Sequence, residues 1–458
     1  MADIAADVGV TRQQVVARIE RLPYSSWHTK MRWIICTAWF FDAFDSLAIA
    51  AVLPPLIGMW HLAPQQIGSL IGIGFAGQLV GSIAAGWAAE RWGRVPTILV
   101  TLLVFTVMSF ACALATNYDT MWWFRFVQGI GLGGEVPIMA AYVNEFARAE
   151  RRGLFSLSIQ VQFAIGLTIV ALVGVWVVPH LGWQWMFVIG GVPALLVIPM
   201  RTTLPESPRW LASKSRFDEA DRNLRALEDL ATREGRALPP LPRDLPAVRE
   251  VKVRLGDLFK GIYLRRTLTV WVLWICTYII TYGLTAWAPS LFRTVYKLPV
   301  EQSLMYGFIL SAAGLVGAFA AIGLIDSIGR KPMYLIGLGF TALPLLVFWG
   351  LGAVSAGTVL LLICLSFPFT SLLALSLATY TAENYPTQLR ALGGGVASAW
   401  QRAASMVGPL LVGVILPTWG LNAVFGVFGA FAALGCVVCA LFAIETRGQV
   451  LETLSPPL

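Results

Sequence analysis

The chain has 458 residues, 57% of them hydrophobic and 13% charged, with a mean hydropathy of +0.72 and a formal net charge of +8. A soluble domain carries about 25% charged residues, so the composition excludes a string of soluble domains and indicates an α-helical membrane bundle. The positive charge does not point to nucleic acid, because it is confined to particular loops, a pattern that belongs to membrane topology.

Residues 1–30 are polar, mixed in charge and without a cleavable-signal pattern, so the first apolar run is expected to remain as a span. A span takes about 20 mainly apolar residues. Six candidates lie in the first half, at roughly 32–53, 67–89, 95–115, 120–142, 154–178 and 183–201. A polar stretch, 202–266, follows; it includes the Pro-rich run LPPLPRDLP at 238–246 and is expected to form short surface helices. Six more candidates lie at roughly 267–290, 302–325, 332–353, 357–380, 391–414 and 421–444. The expected fold is all-α, with twelve transmembrane helices in two six-helix halves, 1–201 and 267–458, joined by the linker 202–266. With the N-terminus inside, 29 of the 33 Lys and Arg fall on the cytoplasmic side. That bias places both termini in the cytoplasm.

The two halves repeat. GWAAERWGR at 86–94 resembles LIDSIGRK at 324–331, setting Glu90 over Asp326. YVNE at 142–145 matches YTAE at 380–383, and Arg152 matches Arg390. PESPR at 205–209 resembles IETRG at 444–448. Two six-span repeats form a transporter architecture whose site lies between the halves near the midplane.

These motifs resemble the major facilitator superfamily over nearly the whole chain. Its loop motif G-x3-D-R-x-G-R reads Gly86, Glu90, Arg91, Gly93 and Arg94, with Glu90 for the usual Asp and Val95 for a basic residue. The sugar-porter-related branch's R-x3-G-x-G-x-G reads Arg125, Gly129, Gly131, Gly133; PESPRWL and ETRG…LE follow, with Ile444 for the usual Pro. FDAFDSLAIAAVLP at 41–54 and GLGGEVP at 131–137 resemble the bacterial nicotinate transporters and synaptic vesicle glycoprotein 2. The resemblance implies import of a small aromatic carboxylate, nicotinate foremost, by proton symport. The alternatives are a sugar, another aromatic acid, a drug moved by antiport, or a receptor without flux. The expected setting is a bacterial inner membrane, with protons and lipids as partners and a monomer as the default.

An ionisable group within a span is expensive and marks function by default. Asp42 and Asp45 are three apart on the first span, which puts both on one side of the helix. Close, buried carboxylates can exchange a proton near neutrality, or simply bond to a neighbouring helix or solvated cavity. In sugar-porter proton symporters a first-span Asp faces a fourth-span Arg, and the resemblance assigns those places to Asp45 and Arg125. Glu135, further along the fourth span, is open between structure and function. Arg402 sits deep in the eleventh span without an acid in its own half; it either meets an anionic substrate, pairs with Asp42 or Asp45, or reaches water. A guanidinium suits a carboxylate geometrically. Trp400, Tyr278, Tyr282, Gln160 and Gln162 are further candidates for contacting a flat ring and its substituents.

The charges Glu90, Arg94, Glu145, Arg152, Asp326, Arg330, Glu383 and Arg390 fall at cytoplasmic span ends and are candidate gate pairs between the halves. Six scattered Cys lie in apolar runs and are read as packing, Cys436 and Cys439 included. None of the three His falls within a span, and no nucleophile–base or metal spacing is present, so neither enzyme, metal site nor cofactor is expected. The Gly-rich runs at 129–134 and 393–395 follow no strand and precede no P-loop Lys; close helix packing accounts for them.

Overall fold

The computed structural model describes residues 11–146, 152–241, 254–352 and 354–449; the side chains of Arg152, Gln160 and Asp326, and residues 451–452 of the last motif, lie outside what it describes. Among the described residues, ten helices are long and apolar enough to cross a membrane. Five come in the first half: α2 (Ser26–Trp60), α3 (Pro64–Trp92), α4 (Arg94–Ala113), α5 (Tyr118–Phe146) and α6 (Arg152–Leu181). The sixth crossing is not one helix, as expected for 183–201, but α7 (Gln184–Gly190), a 3-10 turn Val192–Leu196 and α8 (Val197–Thr203). Gly190, Gly191 and Pro193 break it, since Gly weakens a helix interior and Pro removes a backbone donor.

The second half contains α11 (Ile262–Thr285), α13 (Val300–Ile328), α14 (Arg330–Leu351), α15 (Ala356–Asn384) and α16 (Thr387–Phe442). The expected span 267–290 ends early; a short α12 (Ala288–Thr294) continues it, with Pro289 at its first turn. Helix α16 has 56 residues, far more than one crossing of a hydrocarbon layer about 30 Å thick can hold. Gly420, at φ 77° and ψ −179°, separates its two spans. Ten helices, one of them double, plus the broken crossing give the twelve expected.

Small residues let backbones touch. A Cβ on Gly77 of α3 would lie 2.1 Å from the Phe126 carbonyl oxygen of α5, and one on Gly317 of α13 would lie 1.8 Å from that of Pro368 of α15. The outer surface stays apolar: Val100, Leu103, Val316, Leu343 and Val437 are each more than half exposed. In water so much exposed apolar surface would drive aggregation; in a bilayer it is the lipid face.

On the side of the chain termini, α1 (Arg12–Arg21), α9 (Pro208–Ser213) and α10 (Phe217–Arg233) form a polar cap. Val15, Ile19, Trp210, Leu211 and Leu224 are its buried core. Around it Arg18 grips Glu228 at 2.6 Å and Asp221 at 2.5 Å, and Arg21 reaches Glu228 at 2.7 Å. At the opposite end the two halves meet backbone to backbone. There a Cβ on Gly68 of α3 would lie 2.7 Å from the Pro409 carbonyl oxygen and 3.3 Å from the Gly413 Cα of α16.

Candidate functional site

A cavity of about 240 Å³ lies between the halves. Helices α2 and α3 contribute Trp39, Asp42, Ser46, Phe75 and Gln78 to its wall, while α16 contributes Ser398, Gln401, Arg402 and Ser405. Its third wall is aromatic. On α11, Trp274, Tyr278 and Tyr282 stand four residues apart, so their rings stack in a ladder, with centroids 5.3 Å and 6.1 Å apart. Phe75 meets Tyr282 edge-on across the halves at 4.7 Å. A second space of about 80 Å³ adjoins behind Tyr278 and Tyr282, carrying hydroxyls from Thr168, Thr281, Ser311 and Ser371.

The two first-span acids part company. Asp45 is fully buried; Ser109 Oγ donates to its Oδ1 at 3.0 Å, and Arg125 Nη1 stands 3.7 Å from its Oδ2. Arg125 Nη1 also donates to Gln128 Oε1 at 2.8 Å. This nest needs room: a Cβ on Gly74 would sit 2.9 Å from Arg125 Nη2, and one on Gly190 2.6 Å from Asp45 Oδ1. Asp42, one turn earlier, instead lines the open cavity. A three-residue step leaves about 60° between two side chains on a helix of 3.6 residues per turn, enough to give them different neighbours.

Arg402 is 7% exposed and enters the same cavity from the other half. Its Nη1 donates to Ser398 Oγ at 2.8 Å and its Nη2 to the Gly133 carbonyl oxygen of α5 at 3.3 Å; its Nε has no partner among the described residues. Asp42 is near enough to interact electrostatically, though no ion pair within 4 Å joins the two.

Other sequence candidates are placed elsewhere. Trp400 packs against Trp271, with centroids 5.4 Å apart, and is not part of the cavity wall. Residues two apart on a helix point about 160° apart, which is why Trp400 and Arg402 cannot share a site. Gln162 is half-buried outside the wall, and its neighbour Phe163 lines the cavity in its place. The side chain of Gln160 lies outside the described residues. Sequence reading missed Trp274, although its four-residue spacing from Tyr278 was visible. It also missed Trp39, Gln78, Ser398 and Gln401, which carry no signal beyond being polar or aromatic within a span.

Among the described residues, the ion pairs that join charges at the span ends lie within one half or the other. Arg94 Nη2 holds Glu90 at 2.8 Å and Glu145 at 3.0 Å, and Arg330 Nη2 holds Glu383 at 2.7 Å. Arg390 Nε donates to the Ala382 carbonyl oxygen at 3.0 Å. The side chains of Arg152 and Asp326 lie outside the described residues. Two further acids complete the pattern, and sequence reading gave them no role although their motifs repeat. Glu206 accepts the backbone N–H groups of Arg94 at 3.0 Å and Val95 at 3.2 Å; Glu445 accepts those of Arg330 at 2.9 Å and Lys331 at 3.0 Å. Each acid thus caps the start of α4 or α14, where unpaired N–H groups favour an anion. Both caps need the glycine before the arginine: Gly93 and Gly329 have φ of 113° and 97°, and a Cβ there would strike the capping carboxylate. Burial pushes the Glu445 carboxyl up, but four backbone N–H groups more than offset it and hold it below the usual range. For Glu206 burial prevails and the shift is upward.

Comparison with known proteins agrees with this architecture. The "Sugar (and other) transporter" family profile matches residues 44–457. The niacin transporter NiaP of Acinetobacter baylyi is 32% identical over 445 residues, 96% of this chain and 99% of that protein. The synaptic vesicle 2-related protein of Bos taurus is 26% identical, covering 95% of this chain and 82% of that one. The partially occluded, inward-open structure of the Escherichia coli xylose transporter XylE superposes with a TM-score of 0.73 at 19% identity, covering 93% of this chain and all of that one. The chain is therefore a multi-pass membrane transporter of the sugar (and other) transporter family, within the major facilitator superfamily, and not an enzyme.

Proposed function

We propose that the protein imports a small aromatic carboxylate, nicotinate above all, together with protons, by alternating access from a bacterial inner membrane. The observation that carries this reading is Arg402, a buried cation in the cavity between the halves, beside a ladder of aromatic rings. Leaving a cation there without an anion is costly, and a carboxylate substrate would relieve the cost. The flat ring would lie along Trp274, Tyr278 and Tyr282. An engineered apolar cavity of about 150 Å³ accepts benzene, so about 240 Å³ suffices for one ring with a carboxylate. The name of the niacin-transporting relative supports the choice of substrate.

Asp42, Asp45 and Arg125 would carry the proton coupling, with Asp42 facing the substrate and Asp45 held by Arg125. The cluster of Lys and Arg on the side of the termini supports reading that side as cytoplasmic. On that reading the end sealed by Gly68 and Pro409 would face outward, and the cavity would open toward the cytoplasm. The charges around Arg94 and Arg330, with their capping acids, would act as the cytoplasmic gate. A second reading draws on the adjoining space, apolar over most of its wall but carrying several hydroxyls, which suits an aromatic acid with a polar substituent opposite its carboxylate.

The test is uptake of radiolabelled nicotinate into proteoliposomes, with and without an inward proton gradient. Gradient-stimulated uptake supports symport. Exchange without stimulation keeps the substrate but makes the protein a uniporter. Absence of both binding and uptake by a folded preparation removes nicotinate, and the same assay with hydroxylated benzoates then decides the second reading.

A further inference from the structure

Glu135 is the buried acid that the reading above leaves unused. It is 1% exposed, in α5, and neither carboxylate oxygen has a hydrogen-bond partner among the described residues. Asp45, equally buried, has a hydroxyl donor and a guanidinium. An ionised carboxylate with no donor in an apolar setting is so costly that the group holds its proton instead.

Its surroundings supply a means of changing that. Pro137 has no backbone N–H, so the carbonyl of Gly133, four residues earlier, loses its helical donor. Arg402 Nη2 takes that vacant place, donating to Gly133 at 3.3 Å from the other half of the molecule. Its Nε is still without a partner among the described residues. The guanidinium thus reaches the α5 backbone two residues before Glu135 and is held there by a weak, neutral acceptor, while the acid that acts on it in this arrangement is Asp42. Of the other charged groups on helices packed against α5, α2 presents Asp42, which acts on Glu135 electrostatically, and Asp45, which is engaged with Arg125. The charges of α3 and α4 (Glu90, Arg91, Arg94) lie at the cytoplasmic ends. On α16 the remaining charge, Arg390, lies in the first turn, more than two helical turns from Arg402.

We propose that Glu135 is a second proton carrier of the transport site, in relay with Asp42, loaded in this arrangement and discharged when Arg402 exchanges the Gly133 carbonyl for it. In that step the O–H bond of Glu135 breaks and one forms on Asp42, whose carboxylate lines the cavity and passes the proton to its water. Glu135, now an anion, pairs with Arg402. The loaded state is a property of the carboxyl alone; its use in transport rests on the proton-coupled reading.

The test therefore has two arms. Infrared spectra of the reconstituted protein without substrate, at neutral pH, should show the carbonyl stretch of a protonated carboxyl in the wild type and in D45N. The same band should be missing from E135Q. A band of full strength in E135Q, or none in the wild type, overturns the proposal whatever the protein transports. In the second arm, E135Q should keep nicotinate counterflow within about threefold, while gradient-driven accumulation falls tenfold or more. Accumulation equal to wild type from pH 5.5 to 8 overturns the coupling role. If no variant transports nicotinate while the infrared result stands, the substrate reading has failed and the loaded Glu135 has not.

Discussion

Arg402 and Asp42 face each other across the cavity without closing to an ion pair, which sets different expectations for the two. Hydrogen bonds to a charged group contribute about 1.5–3 kcal/mol, and each 1.4 kcal/mol is about tenfold in affinity. Replacing Arg402 by Lys keeps the charge but loses the planar fork, so nicotinate binding should weaken roughly 10- to 100-fold, read by calorimetry on the purified protein. Unchanged affinity would mean that the anion binds elsewhere. Asp45→Asn keeps the Ser109 contact but removes the proton-carrying group, so gradient stimulation should vanish while counterflow persists. The aromatic positions separate just as sharply. Trp274→Ala should weaken binding, since aromatic pairs contribute about 0.5–1.5 kcal/mol beyond their area. Trp400→Phe should leave it within twofold, because Trp400 packs on Trp271 away from the cavity. Depth along the span was legible in the sequence at Arg402; direction around the helix was not, and that is why Trp400 and Gln162 lie outside the wall of this cavity.

Helices on the polar side show what hydropathy conveys and what it omits. The first span was expected at 32–53, yet α2 runs from Ser26 to Trp60. Apolar residues mark the bilayer, not the helix, and polar turns continue beyond it. The cap helix α1 was not foreseen at all: it is too polar for a span, and its partner α10 is some 200 residues away. Its anchor is electrostatic as well as apolar. Burial raises the Glu228 carboxyl, but the bonds from Arg18 and Arg21 outweigh it and hold the group below its usual range; Asp221 is lowered in the same way by Arg18 and Arg225. A carboxyl depressed in the folded state contributes stability above its unfolded pKa, about 4, and loses it as pH falls through the lower folded value. Helix α1 should therefore stay docked at pH 5 and loosen only below about pH 4. Hydrogen–deuterium exchange across 12–21 reads this directly. At neutral pH, Arg18→Ala should speed that exchange about 10-fold or more and leave the spans protected. Protection equal to wild type would show that the apolar contacts of Val15 and Ile19 suffice.

For the molecule as a whole, the repeat carried the most information. Nearly the same offset, 236 and 238 residues, linked Glu90 to Asp326 and Glu145 to Glu383, and the structure builds the same arrangement twice: a positive-φ glycine, an arginine on an acid, and a second acid capping the next helix. What the repeat could not convey was the state of the molecule, because two conformations of one protein share one sequence. At the end opposite the termini, which the proposed orientation makes the outer one, the halves meet by backbone contact at Gly68, where the neighbours of an added Cβ are the carbonyl oxygen of Pro409 and the Cα atoms of Gly413 and Leu410. Main-chain atoms in packed helices cannot move aside as a flexible side chain can. Gly68→Leu should therefore hold the outer end open and shift the population outward, since a small contact change acts on a nearly balanced equilibrium. Uptake should fall at least tenfold, while nicotinate binding from the outer face persists and a cysteine placed at Ser405 gains reactivity toward an impermeant thiol reagent added outside, in a background whose native cysteines are replaced. A Cβ added at Gly58 would meet nothing within 4 Å, so Gly58→Ala is the control and should change neither reading. If Gly68→Leu transported normally, the halves would have to part elsewhere, and the contact between α3 and α16 would be packing without a gate.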